Sequence, residues 1–166
     1  MIFSSKIPED GKKALLQLQK DFNWSDDQLD YLIACMAFES NLNPKAVNKY
    51  SGAVGLIQFM PSICKSYNTS SMEMLGRSFA EQIVYVKKHF LPYYKRVHTL
   101  SDMYMAIFMP SFIGKPEDSV IFSKSTKPIS YNQNAGLDIN KDGTITKMEA
   151  SLMVLKRYQA GLKDKR

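Results

Sequence analysis

Apolar residues recur at spacings of three and four through most of the chain, and few runs alternate apolar with polar positions. Leu15, Leu18 and Phe22 set this period first and predict a helix over residues 7–22. Ser25, followed by Asp26, Asp27 and Gln28, has the form of a capping box. It predicts a second helix that runs to about Ser40, with Pro44 shortly beyond its end. Residues 41–56 are rich in glycine and irregular. Further helices are expected over 61–67, over 72–90 with a break near Gly76, and over 101–109. Pro110, Gly114, Pro116 and Pro128 make 110–129 poor helix, so an ordered loop is expected there. A short helix at 130–137, an acidic loop and a last helix at about 147–162 complete the chain, with no internal repeat. The fold class is mainly α.

Composition narrows this picture only a little. The chain has 166 residues, 45% of them hydrophobic, enough for one core. Its apolar runs are far shorter than the ~20 residues that span a bilayer, so no membrane span is expected. The first ten residues lack a basic segment followed by an apolar one, so no signal peptide is expected. Cys35 and Cys64 are too few for a disulfide framework and read as buried free thiols. The net charge of +6 suits an anionic polymer as partner, without choosing among nucleic acid, lipid surface and cell wall. The basic pairs Lys87-Lys88 and Lys95-Arg96 have aromatic neighbours Tyr85, Phe90, Tyr93 and Tyr94. That pattern marks a helix with one packed face more often than a nucleic-acid surface.

The candidate chemistry centres on Glu39. On a helical period Leu32, Cys35, Met36 and Glu39 share a face, so a carboxyl ends an apolar stripe. Desolvation there disfavours the charged form, and the negative end of the helix dipole pushes the same way. A carboxylic acid kept protonated near neutral pH is what protonation of a glycosidic oxygen requires. Glycines at 52 and 55 let backbone approach a ligand closely. Gln58 carries both a donor and an acceptor for sugar groups, and Met60 supplies an adaptable apolar surface.

The run Glu39-Ser40-Asn41-Leu42-Asn43-Pro44, with Gly52-Ala53-Val54-Gly55-Leu56-Ile57-Gln58-Phe59-Met60-Pro61 after it, resembles the soluble lytic transglycosylase family. That family reads E-S-x-x-N-P and then G-A-x-G-L-x-Q-x-M-P, and every one of those positions is matched here. The resemblance is specific over residues 34–63. It implies a lysozyme-like helical domain over 1–129, with Glu39 as catalyst and Ser40, Gln58 and Met60 at the sugar groove. The implied substrate is bacterial peptidoglycan, cut at the MurNAc-GlcNAc bond. The family also carries a third motif, A-x-x-Y-N-A-G, whose tyrosine sits beside the catalytic glutamate. The corresponding place here, 106–114, has neither Tyr nor Asn. Tyr131-Asn132-Gln133-Asn134-Ala135-Gly136 looks like a displaced copy, so Tyr131 and Asn132 are expected to recover the role.

Most glycosidases use two carboxylates. After Glu39 the next acidic residue is Glu73, so the loop behind the catalytic helix offers no partner. A single-acid reaction that closes the muramic 6-hydroxyl onto the anomeric carbon fits this better than hydrolysis. Asp102, Glu117 or Asp118 would be the base of an inverting muramidase if one of them folds over the groove. A non-catalytic wall-binding module is the alternative of a different class.

Residues 138–149 match the EF-hand loop D-x-N-x-D-G-x-x-x-x-x-E at every defining position. Asp138, Asn140 and Asp142 offer side-chain oxygens, Gly143 the sharp turn, and Thr144 a backbone carbonyl. Thr146 would act through water and Glu149 closes the site, with Ile145 as the apolar plug. With one such loop, a structural Ca2+ is expected rather than a paired sensor. Residues 130–166 are then an EF-hand-like segment packed on the catalytic domain. A monomer that binds peptidoglycan and no nucleic acid is expected. Size and resemblance suit a phage-encoded enzyme, released to the periplasm or carried in the virion.

Overall fold

The structure is a computed structural model, and residues 1–165 are described. It is mainly helical, in agreement with the pattern of apolar positions. Helix α1 spans Glu9–Phe22 and begins after Pro8, whose extended backbone delays the start of the predicted helix by two residues. Helix α2 spans Asp26–Ser40. The Ser25 capping box forms as read, with Gln28 N–H donating to Ser25 Oγ and Ser25 N–H to Gln28 Oε1. Such a cap contributes about 1 kcal/mol. Helix α2 buries residues on nearly every side, which makes it the central helix rather than an amphipathic surface one.

Two turns of helix, α3 (Pro61–Ser66) and α4 (Ser71–Gly76), lead to α5 (Phe79–Phe90). The expected break at Gly76 is real, and Ser78 opens α5 with its own capping box to Glu81. Helix α5 packs on α1. Its Phe90 ring is fully buried edge-on to Trp24, so this aromatic belongs to the core and not to a nucleic-acid surface. Helix α6 (Leu100–Phe108) packs on α2.

Residues 110–129 depart from the expected loop. Strand β1 (Val120–Ser123) pairs antiparallel with strand β2 (Thr144–Thr146), setting Phe122 against Ile145. Ile121, Phe122 and Ile145 are buried, which explains why a run this short becomes strand. Helix α7 (Pro128–Asn134) and a single 3-10 turn lead into the acidic loop.

Helix α8 (Lys147–Asp164) packs against both α2 and α6. Ala150 and Val154 are buried in the same apolar cluster as Leu32, Met36 and Met105. A buried ion pair fixes its first residue. The Lys147 ammonium, 1% exposed, donates to Asp102 Oδ1 at 2.6 Å and to the Lys115 carbonyl at 2.8 Å. Near its other end, Lys165 Nζ donates to the buried Asp30 carboxylate at 2.7 Å. Cys35 and Cys64 are free and buried. Among the described residues no helix is long and apolar enough to cross a membrane.

Candidate active site

Glu39 lies in the last turn of α2, where the helix stops because the chain turns left-handed. Asn41 and Leu42 both have positive φ, and their N–H groups return to the carbonyls of Ala37 and Met36. Ser40 pins this end to the loop behind it. Its hydroxyl bonds to the Met36 carbonyl at 3.0 Å and to the Leu56 carbonyl at 2.9 Å.

The irregular stretch after α2 is a built loop. Isolated bridges pair Val47 with Val54 and Val54 with Phe59. Gln82, fully buried on α5, holds it from beneath. Gln82 Oε1 accepts from Leu56 N–H at 2.9 Å, and Gln82 Nε2 donates to the carbonyls of Pro44 and Met74. Gly55 makes room for that amide. Its φ is +76°, and a Cβ there would stand 2.5 Å from Gln82 Oε1. Gln82 carries no motif signal, so sequence reasoning passed over it.

The loop and α2 form one wall of a groove that continues to either side of Glu39. One arm, about 580 Å³, is lined by Asn41, Asn48, Lys49, Tyr50 and, from α8, Arg157. The other, about 570 Å³, is lined by Met60, Ile57, Tyr104, Phe108 and Asn134. Gln58 borders both arms, and Ser40 the first. Gln58 has φ of +53° and is tied by its amide to the Gly55 carbonyl. Among the described residues Glu39 is the only carboxyl on the lining of either arm. Its oxygens have no hydrogen-bond donor among the described residues. Burial alone pushes the carboxyl up from 4.5 to about 7.

Asp102, Glu117 and Asp118 do not face this groove. Burial acts to raise the Asp102 carboxyl, but the Lys147 ammonium and the Gly114 N–H outweigh it and hold it below its ordinary value. Glu117 and Asp118 border a separate, apolar cleft beside Met148 and Leu152.

With this geometry established, comparison with known families gives one match. Residues 19–81 match the family model of the transglycosylase SLT domain. The match supports a lytic transglycosylase, lysozyme-like family for this part of the chain. Members of that family act on peptidoglycan. Curated proteins gave no match to the chain. The SLT domain so delimited carries Glu39, Ser40, Gln58 and Met60, but ends before α6 and α8. Tyr104, Asn134 and Arg157 therefore reach the groove from outside the matched residues.

Tyr104 was not anticipated from sequence. It is 4% exposed, packs edge-on to Phe38 and stacks on Phe108 one turn later. Burial raises its phenol well above the ordinary value, and a charge on Glu39 raises it further. The two groups are therefore neighbours. Met109 stands where the third family motif has its tyrosine, and Tyr104 brings a phenol to the groove from earlier on α6.

Tyr131 and Asn132, expected beside Glu39, are placed elsewhere and border neither arm. The Tyr131 hydroxyl donates to Asp138 Oδ2 at 2.6 Å, because α7 runs directly into the acidic loop and turns that face toward it. Asn134, one helical turn on, is the residue of this segment that reaches the groove.

The acidic loop has the turn its sequence requires, with Gly143 at φ +84°. Asp138 Oδ1 is buried without a hydrogen-bond partner. That is the position where a hard cation would meet its first ligand. Asp142 is engaged by Thr144 and Asn140, and Glu149 caps α8 through Thr146. Among the described residues no three His, Cys, Asp or Glu side chains already stand grouped around one point.

Proposed function

We propose that the protein is a peptidoglycan lytic transglycosylase that cuts the MurNAc-GlcNAc bond with Glu39 as its single general acid and base. The observation that carries this reading is the solitary carboxyl of the groove. Glu39, raised to about 7 by burial, is protonated in about half of the molecules at neutral pH, and among the described residues no second carboxylate lies on either arm to activate a water.

The proton on Glu39 passes to the glycosidic oxygen as the bond from the anomeric carbon breaks and the GlcNAc 4-hydroxyl leaves. The new Glu39 carboxylate then removes the proton of the muramic 6-hydroxyl, whose oxygen bonds to the anomeric carbon. Glu39 is neutral again, and the product ends in a 1,6-anhydro-muramic sugar. Gln58 and Asn48 offer amide donors and acceptors to the sugars, Met60 an apolar face. Tyr104 keeps a neutral phenol beside Glu39, a donor for the carboxylate as it forms.

The acidic loop is assigned a structural Ca2+. Asp138, Asn140, Asp142, the Thr144 carbonyl and Glu149 are its oxygen donors, and the partnerless Asp138 Oδ1 is the feature that supports it. The ion would brace the start of α8 and exchange for the local hydrogen bonds of Asp142 and Glu149. On this reading residues 1–129 form the catalytic body and 130–166 the calcium-braced segment. Such a monomer suits a phage-borne wall enzyme, acting from the virion or in the periplasm.

Mass spectrometry of muropeptides released from purified peptidoglycan tests the reaction, with Glu39→Gln as control. Products lighter by one water than reducing-end muropeptides, absent with the variant, are expected. Reducing-end products would make the enzyme a muramidase, and an active Glu39→Gln protein would remove Glu39 from the mechanism.

A further inference from the structure

The two arms of the groove differ in charge. The arm toward Met60 and Phe108 carries no basic residue, whereas the arm toward Asn48 and Tyr50 carries Lys49 and Arg157. The two come from separate parts of the chain, the loop after α2 and the third turn of α8. Both side chains are exposed, and neither lies within ion-pair distance of an acidic group among the described residues. Arg157 is not the counter-ion of Glu39, whose raised carboxyl is explained by burial with no opposing charge. A guanidinium held on a rigid helix at the edge of a sugar groove, with no protein partner, is placed for an anion on the ligand.

We propose that Arg157 and Lys49 form a subsite for a carboxylate of the peptide stem on the bound glycan strand, so that the enzyme selects peptide-bearing over naked strands. The inference rests on the reading of the groove as a peptidoglycan site and adds to it which part of the polymer is recognised. Carboxylates hang from the glycan only where muramic residues carry their stems or a free lactyl group. The sugar ring itself offers hydroxyls and amides, for which neutral Gln58, Asn48 and Asn134 suffice. Arg157 lies outside the residues matched by the SLT family, so the preference belongs to this chain's own C-terminal helix. That helix is held in place by the Lys147–Asp102 pair at its start, which keeps the guanidinium over the groove.

Soluble uncrosslinked strands, free of other wall polymers, are compared with the same strands after an amidase has removed their stems. Stripped strands keep the lactyl carboxylate, so the comparison separates the two anions. Wild type is expected to turn over peptide-bearing strands with the higher kcat/KM. Arg157→Gln is expected to lower the ratio of kcat/KM between the two substrates about tenfold, mainly through KM. Lys49→Gln should lower it less, Arg157→Lys should restore most of it, and Lys156→Gln, an equal charge change off the groove, should leave it as in wild type. An unchanged ratio in Arg157→Gln, or an equal effect from Lys156→Gln, overturns the subsite. A loss confined to stripped strands would move the contact to the lactyl carboxylate, and equal losses on both would move it to the glycan itself; either overturns the subsite. Binding of both strands to Glu39→Gln protein, with and without Arg157→Gln, reads the subsite independently of turnover. A failure of the reaction assignment is thus seen in cleavage alone, and a failure of the subsite in binding.

Discussion

Replacing Glu39 by Gln should make the protein more stable at alkaline pH while abolishing its activity, and the size of the gain follows from the buried carboxyl. The folded protein holds the Glu39 proton up to about 7, whereas the unfolded chain releases it near 4.5. Between those values the folded state binds more protons than the unfolded state, so stability falls as pH rises through the window and is level above it. Ionising the carboxyl in place therefore costs roughly 3 kcal/mol at most. Glu39 opens onto a solvent-filled groove, and screening there reduces the cost to about 1–3 kcal/mol. The amide of Gln has nearly the same shape and never ionises. At about pH 8 the variant should melt several degrees higher, at roughly 2–4 °C per kcal/mol for a domain of this size. At about pH 4, below both values, the carboxyl is neutral in either state and the two proteins should melt together. Thermal unfolding followed by circular dichroism across that range, on both proteins, is the assay. A difference in melting temperature that does not change with pH would show that Glu39 titrates normally, and the general-acid argument would fall with it.

Other expectations follow from the same structure. Asp102→Asn leaves the Lys147 ammonium buried without its carboxylate and should cost about 3–5 kcal/mol in urea unfolding. Muropeptide release per folded molecule should persist in that variant, because Asp102 is off the groove. Gly55→Ala, strained at φ +76° and driven into Gln82, should destabilise by about 1–3 kcal/mol and loosen the loop that carries Gln58. Equal denaturation midpoints for Gly55→Ala and wild type would refute the role of that contact. Tyr104→Phe should lower the rate of anhydro-muropeptide formation with little change in melting temperature, whereas Tyr131→Phe should change the response to calcium and spare the rate. Chelation should lower the melting temperature, and an unmoved transition would argue against a metal in the loop.

Local chemistry is legible without the fold wherever it depends on neighbours in sequence. The Ser25 capping box, the break at Gly76, the turn glycines and Glu39 at the close of an apolar helix all depend on residues a few positions apart. What joins distant residues was not legible. Strand β1 is four residues long and exists because Phe122 meets Ile145 across the sheet, a pairing no local pattern announces. Gln82 stands alone in the sequence as an ordinary helix residue, yet three hydrogen bonds make it the support of the loop behind Glu39.

The same division runs through the groove itself. The order of residues determined that a carboxylic acid would sit at a helix end with a glycine-rich loop behind it, because a helical period and a turn are set by nearest neighbours. Only tertiary packing decided what surrounds that acid. Helix α6 brought Tyr104 where motif reading looked to Tyr131, the buried Lys147 took Asp102 away from the groove, and α8 set Arg157 over one arm. Each of these contacts is formed by burying surface between elements far apart in the chain, and such burial depends on the shapes of both partners together, which neither segment encodes alone.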